Sequence, residues 1–224
     1  MKRFLSVMLI AVIAVSSVFA MSGYIGASSG YGFRYMKGAE EKTAQIGTYV
    51  PVSIDGSSYF GKNDFKIGLS YGAEITQIPL TFKLGSLSLD REASEYVWTI
   101  APYAGLSFRY DFGESFALAG SVNATFDWGS TRSYVKRFCP TAALDELIPE
   151  TDTTTHKTIG MMGNLYVNMT MGHVNLRAGG LVKGPIASWT TTEIGNQKVT
   201  SDMQDMTKTG MFDVVPFVGI GFAY

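Results

Sequence analysis

Apolar residues recur at every second position over long stretches of this chain, the period at which successive side chains of a strand point to opposite faces. From Trp98 the even positions read Trp98, Ile100, Pro102, Ala104, Leu106, Phe108, Tyr110 and Phe112, and the odd ones Thr99, Ala101, Tyr103, Gly105, Ser107, Arg109 and Asp111. One face is apolar and the other small or polar. After the turn Phe112-Gly113-Glu114-Ser115 the pattern restarts, with Phe116, Leu118, Gly120, Val122, Ala124, Phe126 and Trp128 set against Ala117, Ala119, Ser121, Asn123, Thr125 and Asp127. Two such runs across a turn predict a β-hairpin. A second hairpin sets Ile159, Met161, Gly163, Leu165, Val167, Met169 and Met171 against Gly160, Met162, Asn164, Tyr166, Asn168 and Thr170, then turns at Gly172-His173. Its return strand sets Val174, Leu176, Ala178, Gly180 and Val182 against Asn175, Arg177, Gly179, Leu181 and Lys183.

Upstream the alternation weakens but persists in Tyr31-Phe33-Tyr35, in Phe65-Ile67-Leu69-Tyr71 and in Ile78-Leu80-Phe82-Leu84, and the last run is Phe212-Val214-Pro216-Val218-Ile220-Phe222-Tyr224. Together these predict eight strands. Short connections near 72–78, 112–115 and 171–174 interleave with long ones near 37–63, 86–95, 129–157 and 184–209. Short turns at one end and long loops at the other are the arrangement of an outer-membrane barrel, whose even strand number puts both termini at the short-turn, periplasmic end. The expected fold is therefore all-β, an eight-stranded antiparallel transmembrane up-and-down barrel. Closure is required physically, because an open sheet edge in hydrocarbon leaves backbone groups unpaired at several kcal/mol each.

Alternation alone does not say which face points outward, since a soluble lipocalin-like barrel turns its apolar face inward. Here the polar face mixes ionisable residues with many small ones, as a crowded lumen requires, and the apolar face is bulky with aromatics near the strand ends, as interfacial girdles require. A buried edge strand of a secreted sandwich is the plainer account of the last run. The amino-terminal 20 residues read as a secretory signal peptide: Lys2-Arg3, the apolar run Phe4 to Val15, and small residues ending at Ala20. That run is too short for a membrane anchor. The mature domain is then residues 21–224, with 16 basic residues against 19 acidic once Lys2 and Arg3 are removed.

The near-neutral balance excludes nucleic acid as a partner on electrostatic grounds. With 46% hydrophobic residues the chain is not wholly disordered, and a single cysteine, Cys139, makes neither an internal disulfide nor a cysteine zinc site. Signal peptide, eight strands, four long loops and an aromatic terminus resemble the small outer-membrane barrels, the group of OmpX-like, OmpA-transmembrane-like and OmpW-like proteins. That likeness covers the whole mature chain and rests on pattern rather than on an invariant string. It implies outer-membrane lipids and the barrel-assembly machinery as partners, the latter through the terminal row Val218, Ile220, Phe222 and Tyr224. The residue ending that signal is most often Phe, and here it is Tyr.

Candidate chemistry is thin. Asp152 and His156 lie among threonines in a stretch expected to be a loop, and His173 sits in a turn at the opposite end, so the two histidines share no metal. No serine nucleophile accompanies them, and no cofactor is expected. Lumen charges say more. Placing strands by their turns puts Glu74, Arg109, Asp111 and Arg177 at the periplasmic end and Arg34, Lys66, Asp127, Lys183 and Asp213 toward the outer end. An eight-stranded barrel is just wide enough for side chains, so these groups must pair or stay hydrated. Arg177 is expected to pair with Asp111 or Glu74. The expected role is non-enzymatic, that of a structural or surface-interaction barrel whose loops carry Tyr134, Phe138 and Trp189 toward an extracellular ligand; the alternative is a narrow passive channel for small hydrophobic solutes using Phe217, Leu181, Val215 and Met162, and the remote alternative a lipid-modifying enzyme.

Overall fold

The computed structural model describes residues 22–37, 44–79, 96–134, 151–194 and 197–224. The signal peptide, Phe138 and Cys139 lie outside the described residues. The first stave of the barrel is β1 (Ser22–Gly30) with β2 (Gly32–Lys37), broken only at Tyr31, whose N–H still donates to Pro216 across the break at 3.1 Å. It is followed by β3 (Ala44–Phe60), β4 (Phe65–Pro79), β5 (Tyr96–Asp111), β6 (Phe116–Tyr134), β7 (Thr151–Met171) and β8 (Val174–Ile194). Two short strands, β9 (Gln197–Thr200) and β10 (Gln204–Asp205), lie against β8, and β11 (Phe212–Ala223) completes the wall. Neighbours in sequence pair antiparallel around the ring, and β11 closes it by pairing with β8 on one side and with β1 and β2 on the other. Eight staves result, and no sheet edge is left open within the wall among the described residues.

Both described chain ends lie beside the short turns 61–64, 112–115 and 172–173: Gly23 and Tyr224 exchange backbone hydrogen bonds, and Ala223 N–H donates to His173. Gly172, at the first place of a two-residue hairpin loop, has φ 61°, which glycine accepts without a Cβ penalty. The expected number of staves stands, but two of their positions are corrected. Phe65–Tyr71 and Ile78 belong to one strand, β4, so no turn exists at 72–78, and a strand, β3, occupies most of the stretch expected to be a long loop at 37–63. Residues 80–84 lie outside the described set. The small residues Gly56 and Ser58 interrupt the apolar row of β3, which otherwise shows Val50, Val52 and Ile54 exposed on one face, and Pro51 stands on the opposite, inward row. Proline cannot donate to a ladder and weakens the strand signal.

The outward face is apolar. Leu106 and Val122 stand directly opposite each other and are 71% and 57% exposed, whereas Asn123 beside them is 1% exposed. Aromatics ring both ends of this band, with Phe65, Tyr110, Phe112, Phe116 and Phe222 at the short-turn end and Tyr35, Phe212, Phe126, Trp128 and Trp189 at the other. On β11 the two girdles are Phe222 and Phe212, roughly 33 Å apart along the strand and about 25 Å in height once the strand tilt is applied, the thickness of an outer-membrane apolar band.

At the long-loop end the wall is uneven. β7 and β8 are 21 residues each and run far past the girdle, flanked by the end of β6 and by β9. The register slips once, between Ile159 and Gly160, opposite Pro185. Such a bulge re-aims a strand, and here it marks where the sheet leaves the band.

Candidate functional site

Because side chains alternate across the wall, the inward rows of all eight staves meet in one narrow lumen, and what fills it decides what the barrel does. Next to the short turns, Asp111 accepts from Lys66 Nζ at 2.8 Å and from Arg109 Nε at 2.6 Å, and the Arg109 guanidinium lies 5.8 Å from the centre of the Tyr59 ring. One tier higher, Arg177 pairs with Asp55 and stacks over Tyr24 at 3.8 Å, with Tyr166 at 5.0 Å and Phe217 at 6.0 Å. The Tyr59 and Tyr166 hydroxyls share a hydrogen bond of 3.2 Å, which ties these two tiers together. Toward the long-loop end, Lys183 sits 2.7 Å from Asp127 and 3.6 Å from Glu74, while Arg34 grips Asp213 with two hydrogen bonds and Tyr49 donates a third to it at 2.9 Å.

A chain of short polar side chains runs along the inner wall from β4 to β7. Ser121 donates to Asn164 at 2.9 Å, Asn123 donates to Ser121 at 2.6 Å, and Ser70 donates to the Asn123 carbonyl. Asn123 reaches Ser70 over β5 because the residue between them is Gly105: a Cβ there would stand 2.8 Å from the Asn123 oxygen. The rings use glycine in the same way. Tyr49, Tyr103 and Tyr166 each stand directly opposite a glycine on the neighbouring strand, Gly32, Gly72 and Gly179. At Gly72 an added Cβ would come within 2.6 Å of the Tyr103 ring and 2.7 Å of the Ile54 carbonyl, so the ring lies flat on bare backbone. Cross-strand aromatic cover of a glycine restores the packing that the glycine gives up.

All nine lumen charges named from the sequence take part in these ion pairs, but two lie at the end opposite to the expected one. Lys66 is beside a short turn and Glu74 is in the upper tier, because β4 is one strand running the other way from the expected hairpin. The partner of Arg177 is neither Asp111 nor Glu74. It is Asp55, which lies in β3, the strand that the sequence pattern hides. Trp189 is in strand β8 rather than in a loop, with its ring 6.2 Å from Phe126, and Tyr134 ends β6. Asp152 and His156 likewise lie in β7, where four residues of strand separate them by roughly 13 Å. The terminal row Val218, Ile220, Phe222 and Tyr224 is exposed on the outward face, and the Tyr224 hydroxyl shares a hydrogen bond of 3.0 Å with Ser58.

A closed ring of eight tilted antiparallel strands, apolar outside and charged within, invites comparison with solved membrane barrels. A major outer membrane protein from Thermus thermophilus aligns over 89% of this chain and 99% of its own, with a TM-score of 0.50 and 10% identity. The fold is that of a small outer-membrane β-barrel. Neisserial surface protein A aligns over 89% of this chain and 96% of its own at 9% identity and a TM-score of 0.49, and Ail of Yersinia pestis over 91% and 100% at 13% and 0.43. No model of a known protein family matches the chain, and no curated protein does. At such low identity the likeness extends to architecture alone, and function has to be argued from the site.

Proposed function

We propose that this chain is an integral protein of the bacterial outer membrane, inserted with its short turns and both termini in the periplasm, and that it serves a structural or surface-interaction role with a closed lumen. The observation that carries this reading is the fill of the lumen at successive levels. Arg177 and Asp213 are 4% and 3% exposed, each with its countercharge in contact. The inward apolar residues on which a channel for hydrophobic solutes would depend do not line a gap: Phe217 packs with Tyr166 and Ala119, with Leu181 against them, and Val215 is 0% exposed. Work done by such a barrel is left to what projects beyond the membrane, the sheet of β6 to β9. The exposed aromatic terminus fits a role in assembly rather than transport. Refolded protein added to planar bilayers should give no steady conductance in the absence of applied stress. Sustained single-channel steps of uniform size would overturn the closed-lumen reading and favour a channel.

A further inference from the structure

At the long-loop girdle one cross-strand row changes the character of the wall. Trp128 on β6, Lys157 on β7 and Trp189 on β8 stand directly opposite one another, and directly opposed residues share a face. That face is the outward one, because the next outward row, Phe126, Ile159 and Ala187, includes exposed Phe126 and Ile159. Below the row the outward positions of β7 are Ile159, Met161, Leu165 and Val167, all well exposed; above it the same three strands read Ser130, Thr155 and Thr191. The row is thus the line at which the lipid-facing band ends, and it sets a half-buried lysine between two tryptophans. No carboxylate pairs with Lys157 among the described residues. On the same outward face Asp205, opposite Ala187 one row below, is taken up by the Thr207 N–H and hydroxyl at 3.0 and 2.6 Å, Glu193 farther along the sheet is held by Lys198 at 2.7 Å, and Asp127 is turned inward to Lys183.

Indoles prefer the headgroup level of a bilayer, and a lysine there draws anionic lipid. We infer that the Trp128–Lys157–Trp189 row is a docking site for the phosphate of an anionic lipid headgroup. The inference rests on the membrane-embedded reading of the barrel. Lys157 supplies the countercharge and the Trp128 and Trp189 indoles flank it on the same face, while Phe126 and Ile159 beneath receive the upper part of the acyl chains. The site commits to lipid rather than free phosphate because the apolar surface is continuous with the row.

The test uses full-length refolded protein in a Trp98→Phe background, so that both emitting indoles belong to the row. Vesicles of phosphatidylcholine with a minor fraction of phosphatidylglycerol are prepared with brominated chains on one lipid or the other, and tryptophan quenching gives the relative affinity of the two lipids for the row. Phosphatidylglycerol should be favoured by about fivefold, the worth of one cation near an anionic surface. Lys157→Gln should erase that preference, Lys157→Arg should keep it, and Lys62→Gln at the opposite end should leave it unchanged. Equal quenching by both lipids, or a preference that survives Lys157→Gln, overturns the inference while leaving the barrel in the membrane. Loss of the preference on adding inorganic phosphate overturns it in favour of a free-anion site. Absence of quenching by either brominated lipid overturns the membrane reading itself.

Discussion

The lumen and the protruding sheet are built from the same strands under opposite rules. Inside the band, β7 and β8 contribute Tyr166, Arg177 and Lys183 to a packed interior where each charge has a countercharge and each large ring has a glycine or another ring to lie on. Past the bulge, the same two strands carry threonines joined by long hydroxyl contacts, Thr154 to Thr192 and Thr191 to Thr200 at 3.3 Å each, and an ion pair between Glu193 and Lys198 that water reaches from all sides. A hydroxyl bond that competes with water contributes about 1 kcal/mol or less, whereas a buried charge deprived of its partner is strongly destabilising. The barrel is therefore most sensitive to single substitutions in its polar interior, where one charge can be left without its partner. The protruding sheet keeps its shape through the backbone ladder and leaves its side chains free to vary.

The sharpest way to break that contrast is at Arg177. Replacing it by alanine takes the countercharge from Asp55 and the guanidinium from between the Tyr24, Tyr166 and Phe217 rings and should cost about 3–5 kcal/mol, read from urea unfolding of the refolded protein in lipid. Removing both charges together, Arg177→Met with Asp55→Leu, should recover most of that loss, because the desolvation penalty disappears with the pair. Glu193→Gln, which breaks an ion pair of similar geometry on the protruding sheet, should leave the unfolding midpoint unmoved. If Arg177→Ala proves as mild as Glu193→Gln, the lumen is wet and the distinction between the regions collapses.

A second comparison sets outward positions of the two regions against each other. Leu106→Arg, in the middle of the apolar band, should destabilise by about 2–4 kcal/mol, while Thr155→Arg, beyond the Lys157 row on the outward face of β7, should stay within about 0.5 kcal/mol. Alternation with a watery lumen would make Asn123→Arg milder than Leu106→Arg. With Asn123 hydrogen-bonded to both Ser70 and Ser121 and buried against Gly105, the order should reverse. Unfolding titrations of the three variants rank them directly.

The same physics explains what is legible in the sequence. β5, β6 and β11 can be read because their outward rows, such as Ile100, Ala104, Leu106 and Phe108, are almost wholly apolar and exposed, and an apolar surround favours a strict period of two. β3 is hidden because Gly56 and Ser58 break its apolar row, and Asp55 is hidden with it, so that pattern alone matches Arg177 to the wrong acids. The long tips of β7 and β8 read as loops because their threonine runs, Thr153 to Thr155 and Thr190 to Thr192, show no alternation of apolar and polar residues although they stay in strand. β-branched threonine favours the extended backbone on its own account. The set of lumen charges follows from parity alone, but which charges touch depends on register between strands, and register is not written in any single strand.

The smallest expected effect lies at the edge of the protruding sheet and tests whether its loops are ordered by anything beyond the backbone. Asp205 ends β10, and its carboxylate accepts from the Thr207 N–H at 3.0 Å and from the Thr207 hydroxyl at 2.6 Å, opening the short turn Thr207–Thr209. These two donors hold the Asp205 carboxyl below its ordinary range. A group whose folded pKa is depressed stabilises the fold above its unfolded pKa and loses that contribution as the pH falls through the folded value. Amide exchange at Thr207 should therefore speed up, relative to its intrinsic rate, on acidification through the carboxylate range, while amides in β8 at Ala187 and Ser188, which pair with β10, change less. Asp205→Asn keeps an acceptor without the charge and should remove the pH dependence while preserving most of the protection. An Asp205→Asn protein that keeps the same acid-dependent exchange would show that the turn is held by the ladder alone, as the rest of the protruding sheet is.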